Sequence, residues 1–143
     1  MIVVNANLNE VDVVIKKDKN LIHESLKLSL EESFFLHFAL GCLVIEDCSG
    51  GELDTNQLWQ IFCKTQEDFI LKYVAYHYYR AKGWTVKSGI KYGGDYLLYK
   101  RGPAHYHASY LVQVLDHKKK FSWNEFVGLN RLVETFNKVR SLM

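Results

Sequence analysis

A mixed α/β fold, with a small N-terminal module ahead of a larger domain, is what this chain predicts, on three observations. Short apolar or alternating runs of strand length recur at Met1–Asn7, Val11–Ile15, Cys42–Ile45, Trp84–Lys87, Asp95–Tyr99 and Tyr110–Leu115. Between them lie stretches of helical period at Leu28–Leu40, Thr55–Cys63, Gln66–Lys82 and Ser122–Val139. The chain has 143 residues, 48% hydrophobic and 24% charged, which suits a folded chain with a modest core.

Each element has a local reason. In Leu28–Leu40, Ser29 can cap the first turn while Glu32 reaches back, and Gly41 closes the helix. Asp47–Asp54, with Gly50 and Gly51, reads as a turn, and Thr55 as the cap of the next helix, whose apolar face is Leu58, Ile61 and Phe62. Gln66–Lys82 is the longest helical stretch. Ile70, Tyr73, Val74, His77 and Tyr78 recur at i, i+3, i+4, i+7, i+8 and predict its buried face; Gly83 stops it. Ser122 and Glu125 form a second capping box, and a helix is expected to run from there to Val139. Gly89, Gly93, Gly94 and Gly102 are placed for tight turns. The expected division is residues 1–65, a small α/β module, and residues 66–143, an α/β sandwich.

Bulk properties exclude several classes. The start of the chain lacks a basic n-region and a long apolar stretch, so no signal peptide is expected, and no segment approaches a membrane span. Cys42, Cys48 and Cys63 have no metal-ligand spacing and predict reduced thiols, two of them in the core. Net charge is only +2, but between Lys82 and Lys120 the basic residues outnumber the two acids, Asp95 and Asp116, several-fold. A basic second half facing a polyanion and a merely solvated surface both fit.

The informative stretch is Tyr78 to Val114, YYRAKGWTVKSGIKYGGDYLLYKRGPAHYHASYLVQV. Its ordered run of R-x-K-G-W, V-K-S-G-I-K-Y-G-x-D-Y-L-L-Y, R-G-P and H-A-S-Y, followed by a helix bearing Arg131 and Lys138 on one face, resembles the catalytic domain of the tRNA-splicing endonuclease (tRNA-intron endonuclease) family. Within the family it is most similar to the catalytic subunit that cuts the 5′ splice site. Ser29–Ile45 is similar, more weakly, to the family's small N-terminal domain. The resemblance implies a restriction-endonuclease-like α/β sandwich and a metal-free RNA endonuclease, a tRNA-intron lyase, with no cofactor. It also implies precursor tRNA as substrate, a second catalytic chain and structural chains as partners, and the nucleus as location.

The resemblance assigns three catalytic residues. Tyr99 would take the 2′-hydroxyl proton. A phenol ordinarily holds its proton to about pH 10, so it needs nearby cations, and Lys100, Arg101 and Lys138 are candidates. His107 would protonate the departing 5′-oxygen, a task suited to imidazole; His105, two residues earlier, is a rival. Lys138 would neutralise the phosphorane, and Arg131 would stack on a flipped-out nucleotide of the substrate. Spacing alone favours i,i+3 and i,i+4 ion pairs of Arg131, Glu134 and Lys138 on an exposed helix face, and the resemblance is what points to catalysis. Asp95 is expected to bond backbone groups, and His37 and His77 to be satisfied core histidines. The pattern of metal-dependent nucleases, PD…(D/E)xK, is absent from the sequence.

The chain ends five residues after Lys138, whereas the family continues with at least one core strand and a segment that pairs subunits. The domain is therefore expected to be truncated, with a sheet edge left open. A second reading follows: a catalytically silent or truncated paralogue that binds subunits or RNA.

Overall fold

The structure, a computed structural model, describes residues 2–7, 10–13, 26–47, 49–104, 107–116, 118, 120, 122–135 and 139–142. The chain divides into two units, residues 1–73 and 74–143.

In the first unit, strand β1 (Ile2–Asn7) pairs antiparallel with β2 (Glu10–Val13), which pairs antiparallel with β3 (Leu26–Lys27). On its other side β1 runs parallel to β4 (Leu43–Glu46), giving the order β3-β2-β1-β4. The expected helix at Leu28–Leu40 is α1 (Leu30–Phe34) followed by a wider π-turn at Phe35–Ala39. Ser29 caps it as expected, accepting the Glu32 N–H at 3.2 Å. The widening accompanies burial of two adjacent rings, Phe34 and Phe35. It also delivers His37, whose Nδ1 lies 3.0 Å from the Leu43 carbonyl and whose Nε2 lies 3.1 Å from Thr55 Oγ1. His37 is thus the satisfied histidine the sequence implied.

Helix α2 (Thr55–Thr65) is capped one residue earlier than expected. Asp54 accepts the Gln57 N–H at 2.7 Å, and the Gln57 side chain accepts the Asp54 N–H at 2.9 Å, a complete capping box. An ionised carboxylate is the stronger cap, so it wins over the adjacent threonine hydroxyl. Leu58 and Phe62 are buried in the predicted face. The core is aromatic. Phe34 contacts Trp59 (5.2 Å), Tyr73 (4.9 Å), Phe69 (6.0 Å) and Phe62 (6.2 Å) between ring centroids. Neither described cysteine is fully buried: Cys42 is exposed and Cys63 half-buried, both free. The expectation of two core thiols fails for Cys42 because it follows Gly41 at the helix end, ahead of the buried strand. Cys48 lies outside the described residues.

Burial pushes the Tyr73 hydroxyl above its ordinary value of 10.0. The folded chain then holds this proton more tightly than the unfolded chain. Its contribution is complete below about pH 10 and is lost as pH rises through the raised folded value. The urea midpoint is expected to hold level up to about pH 9.5 and to decline above it, with a shallower decline in Tyr73→Phe.

Helix α3 (Phe69–Ala81) forms as predicted but buries a different face. Phe69, Tyr73, Ala75, Tyr76 and Tyr79 are buried, while Ile70, Val74 and Tyr78 of the predicted stripe are exposed. The helix carries two apolar stripes of helical spacing, and periodicity cannot rank them. Size decides here: the buried stripe holds one phenylalanine and three tyrosines. Each of these rings removes more apolar surface from water than the exposed aliphatic side chains would.

The second unit's sheet has the order β5-β6-β7-β8. Strands β5 (Thr85–Ser88), β6 (Tyr96–Tyr99) and β7 (Tyr110–Val114) are antiparallel neighbours, close to the predicted runs. Tyr76 of α3 packs on Tyr96 at 5.9 Å, and Trp84 packs on Tyr110 at 5.5 Å. Helix α4 (Trp123–Thr135) starts with the predicted capping box, Ser122 N–H to Glu125 Oε2 at 2.8 Å and Glu125 N–H to Ser122 Oγ at 3.3 Å.

The predicted helix to Val139 is corrected. Val139–Leu142 is strand β8, parallel to β7, with Leu111 opposite Val139 and Val114 opposite Leu142. Val139–Leu142 satisfies its backbone by pairing with β7 over all four residues, and that long-range pairing, not local period, ends the helical pattern. β7 therefore has a strand on each side, and β5 and β8 form the edges of this sheet.

Candidate active site

Tyr99 is the last residue of β6, half-buried, with Thr85 of β5 as its cross-strand partner. The exposed Lys100 and Arg101 follow it directly, before a turn at Gly102 with φ 89° that only glycine adopts freely. The hairpin that aims β6 is tightly built. A Cβ on Gly94 would sit 2.6 Å from Leu111 Cδ1, so glycine there lets β7 close on the hairpin. Asp95 pins the same end: its N–H donates to the Val112 carbonyl at 2.9 Å, and its Oδ2 accepts the Val114 N–H at 2.7 Å. This is the structural role the sequence suggested.

His107 is exposed and lies three residues before β7. The Ser109 N–H donates to the Leu98 carbonyl at 2.7 Å, which ties the approach to β7 against the end of β6. Since Leu98 faces Tyr110, the C-terminal end of β6 and the N-terminal end of β7 meet at one end of the sheet. β8 is parallel to β7 and begins opposite Leu111, so its N-terminal end joins them there. Lys138 is the residue before Val139 in sequence and lies outside the described residues, as does His105. Helical spacing no longer relates Lys138 to Arg131, because α4 ends at Thr135 and β8 has begun at Val139. Arg131 is exposed on α4.

Strand topology, then, gathers Tyr99, the approach to β7 that carries His107, and the start of β8 at one end of three adjacent strands. Adjacent strands are about 4.8 Å apart, so β6 and β8 are separated by about 10 Å, a gap that side chains from the two strand ends can close.

The charge is divided between the units. Residues 1–73 hold twelve acids and six Lys or Arg, a net −6; residues 74–143 hold twelve Lys or Arg and four acids, a net +8. The modest total conceals a unit basic enough to attract a polyanion.

A family model, "tRNA intron endonuclease, catalytic C-terminal domain", matches residues 69–142. The chain is 44% identical over 128 residues to tRNA-splicing endonuclease subunit Sen2 of Mus musculus, covering 84% of this chain and 28% of that protein. It is 47% identical over 105 residues to the subunit SEN2 of Saccharomyces cerevisiae, covering 70% of this chain and 26% of the relative. It is 38% identical over 122 residues to the tRNA-splicing endonuclease of Sulfurisphaera tokodaii, covering 85% and 67%. The chain spans about a quarter of the length of the mouse and yeast relatives.

Proposed function

Since the chain belongs to the tRNA intron endonuclease family, we propose that it is the catalytic subunit of a splicing endonuclease that cuts precursor tRNA at the 5′ splice site without a metal. The observation that carries this reading is the meeting of the β6, β7 and β8 ends beside Tyr99 and His107.

In the reaction, Tyr99 as phenolate takes the 2′-hydroxyl proton and the 2′-oxygen bonds to the adjacent phosphorus. The bond from phosphorus to the 5′-oxygen breaks, and His107, in its charged form, hands that oxygen a proton. Lys138 neutralises the extra charge on the phosphorane. The products are a 2′,3′-cyclic phosphate and a 5′-hydroxyl, the outcome of a lyase. Arg131 stacks on an unpaired nucleotide near the junction, since RNA of this kind is read by shape and unstacked bases. Residues 1–65 serve as the N-terminal module and 66–143 as the catalytic domain, a division supported by the family match beginning at residue 69. The partners are a second catalytic chain and structural chains, in the nucleus.

The test is cleavage of an intron-containing precursor tRNA in EDTA by the complex that holds this chain. Cutting at the 5′ site should persist in EDTA and fall about 10²–10³-fold in Lys138→Ala, the scale of losing one electrostatic stabiliser. Cleavage abolished by EDTA and restored by a divalent cation would refute the metal-free reading.

A further inference from the structure

We propose that Trp123 and Phe126, at the start of α4, form a stacking platform for an unpaired base of RNA, with Lys118 and Lys120 contacting its phosphates. The inference rests on RNA being the substrate and adds a contact outside the set of Tyr99, His107, Lys138 and Arg131.

Trp123 is 76% exposed and Phe126 51%, and the two rings lie nearly parallel, with centroids 5.7 Å apart and planes at 27°. A solvated aromatic stack is unfavourable unless something covers it, and either a nucleobase or an apolar protein surface could do so. The surrounding charge favours the base. The residues leading into α4 include Lys118 and Lys120, both exposed. The two nearby carboxylates are engaged with local backbone: Asp116 Oδ1 accepts the Lys118 N–H at 2.9 Å, and Glu125 Oε2 accepts the Ser122 N–H at 2.8 Å. The whole unit carries net +8.

Aromatic rings beside cations are how single strands are held without sequence preference, because every base has a π-face. Arg131 follows Trp123 by eight residues, about 12 Å along the helix and within a quarter turn of it. A strand laid along α4 from the platform therefore passes the arginine.

The test uses the full chain carrying His107→Ala, titrated with a short single-stranded oligoadenylate bearing a fluorophore, with affinity read from fluorophore anisotropy and tryptophan emission followed alongside. Binding should quench the emission, and adding Trp123→Leu should weaken affinity about tenfold or more, with Trp123→Phe retaining most of it. Lys118→Gln with Lys120→Gln should lower the salt slope by about 1.4, the single-strand value for two phosphate contacts. The urea midpoint should not move in any of these, since the side chains are exposed. Unchanged affinity in Trp123→Leu overturns the platform, while cutting of precursor tRNA by the complex with His107 intact keeps the endonuclease reading. If the chain does not bind the oligonucleotide and the complex that holds it does not cut precursor tRNA, both are overturned. If Trp123→Leu binds RNA normally but no longer assembles with other subunits, the rings belong to a protein contact and the platform is wrong.

Discussion

His107→Ala is expected to lower cleavage of precursor tRNA by about 10²–10⁴-fold, the range for removing a general acid. The 5′-oxygen would then have to leave as an alkoxide, which is the harder half of the reaction. The loss should depend on the leaving group. With sulfur replacing the 5′-oxygen at the scissile bond, departure no longer needs a proton, so the variant should regain most of the rate. His107 is exposed, so the variant should keep the parent's stability and assembly. Unchanged cutting in His107→Ala would remove the residue from the mechanism.

Tyr99→Phe is expected to lose about as much, 10²–10⁴-fold, because it deletes the group proposed to take the 2′-hydroxyl proton. Here the sulfur substrate should give no rescue, since the nucleophile and not the leaving group is impaired. The opposite responses to one substrate separate the two roles better than the size of either loss. The ring of Tyr99 is half-buried at a strand end, and phenylalanine keeps its packing against neighbours, so the fold should stay intact. Rescue of Tyr99→Phe by the sulfur substrate would contradict its assignment as base.

Much of the fold was legible because local chemistry and tertiary structure agree. Ser29 and the pair Ser122 and Glu125 cap helices where their spacing says they should. Asp95 bonds the backbone of β7, and Gly94 sits where a Cβ would strike Leu111. Errors arose where two local patterns were equally good. On α3, Ile70–Val74–Tyr78 and Phe69–Tyr73–Tyr76 are both apolar stripes, and only the partner surface chooses between them. At the C-terminal end, Val139–Leu142 carries no local strand signal, and pairing with β7 makes it a strand.

The candidate site was legible in kind but not in arrangement. Tyr99 and His107 stand out through motif resemblance, while the nearness of the strand ends beside them depends on the register of β6 with β7, which no local pattern encodes. Trp123 and Phe126 show a related ambiguity. An aromatic pair at i and i+3 in a capped helix reads as core, and only exposure distinguishes it from a binding surface. The charge asymmetry was also muted in sequence, because an acidic first unit offsets a basic second one in the total.

The decisive measurement is a structure of the complex with precursor tRNA that carries a 2′-deoxy sugar at the junction and so cannot be cut. The Tyr99 hydroxyl should lie within about 3.5 Å of the missing 2′-oxygen's position, a ring nitrogen of His107 at hydrogen-bonding distance from the 5′-oxygen, and the Lys138 Nζ at a similar distance from a non-bridging oxygen. If that phosphate is bound while any of these three groups points away from it, the shared site does not exist and the mechanism built on it is wrong.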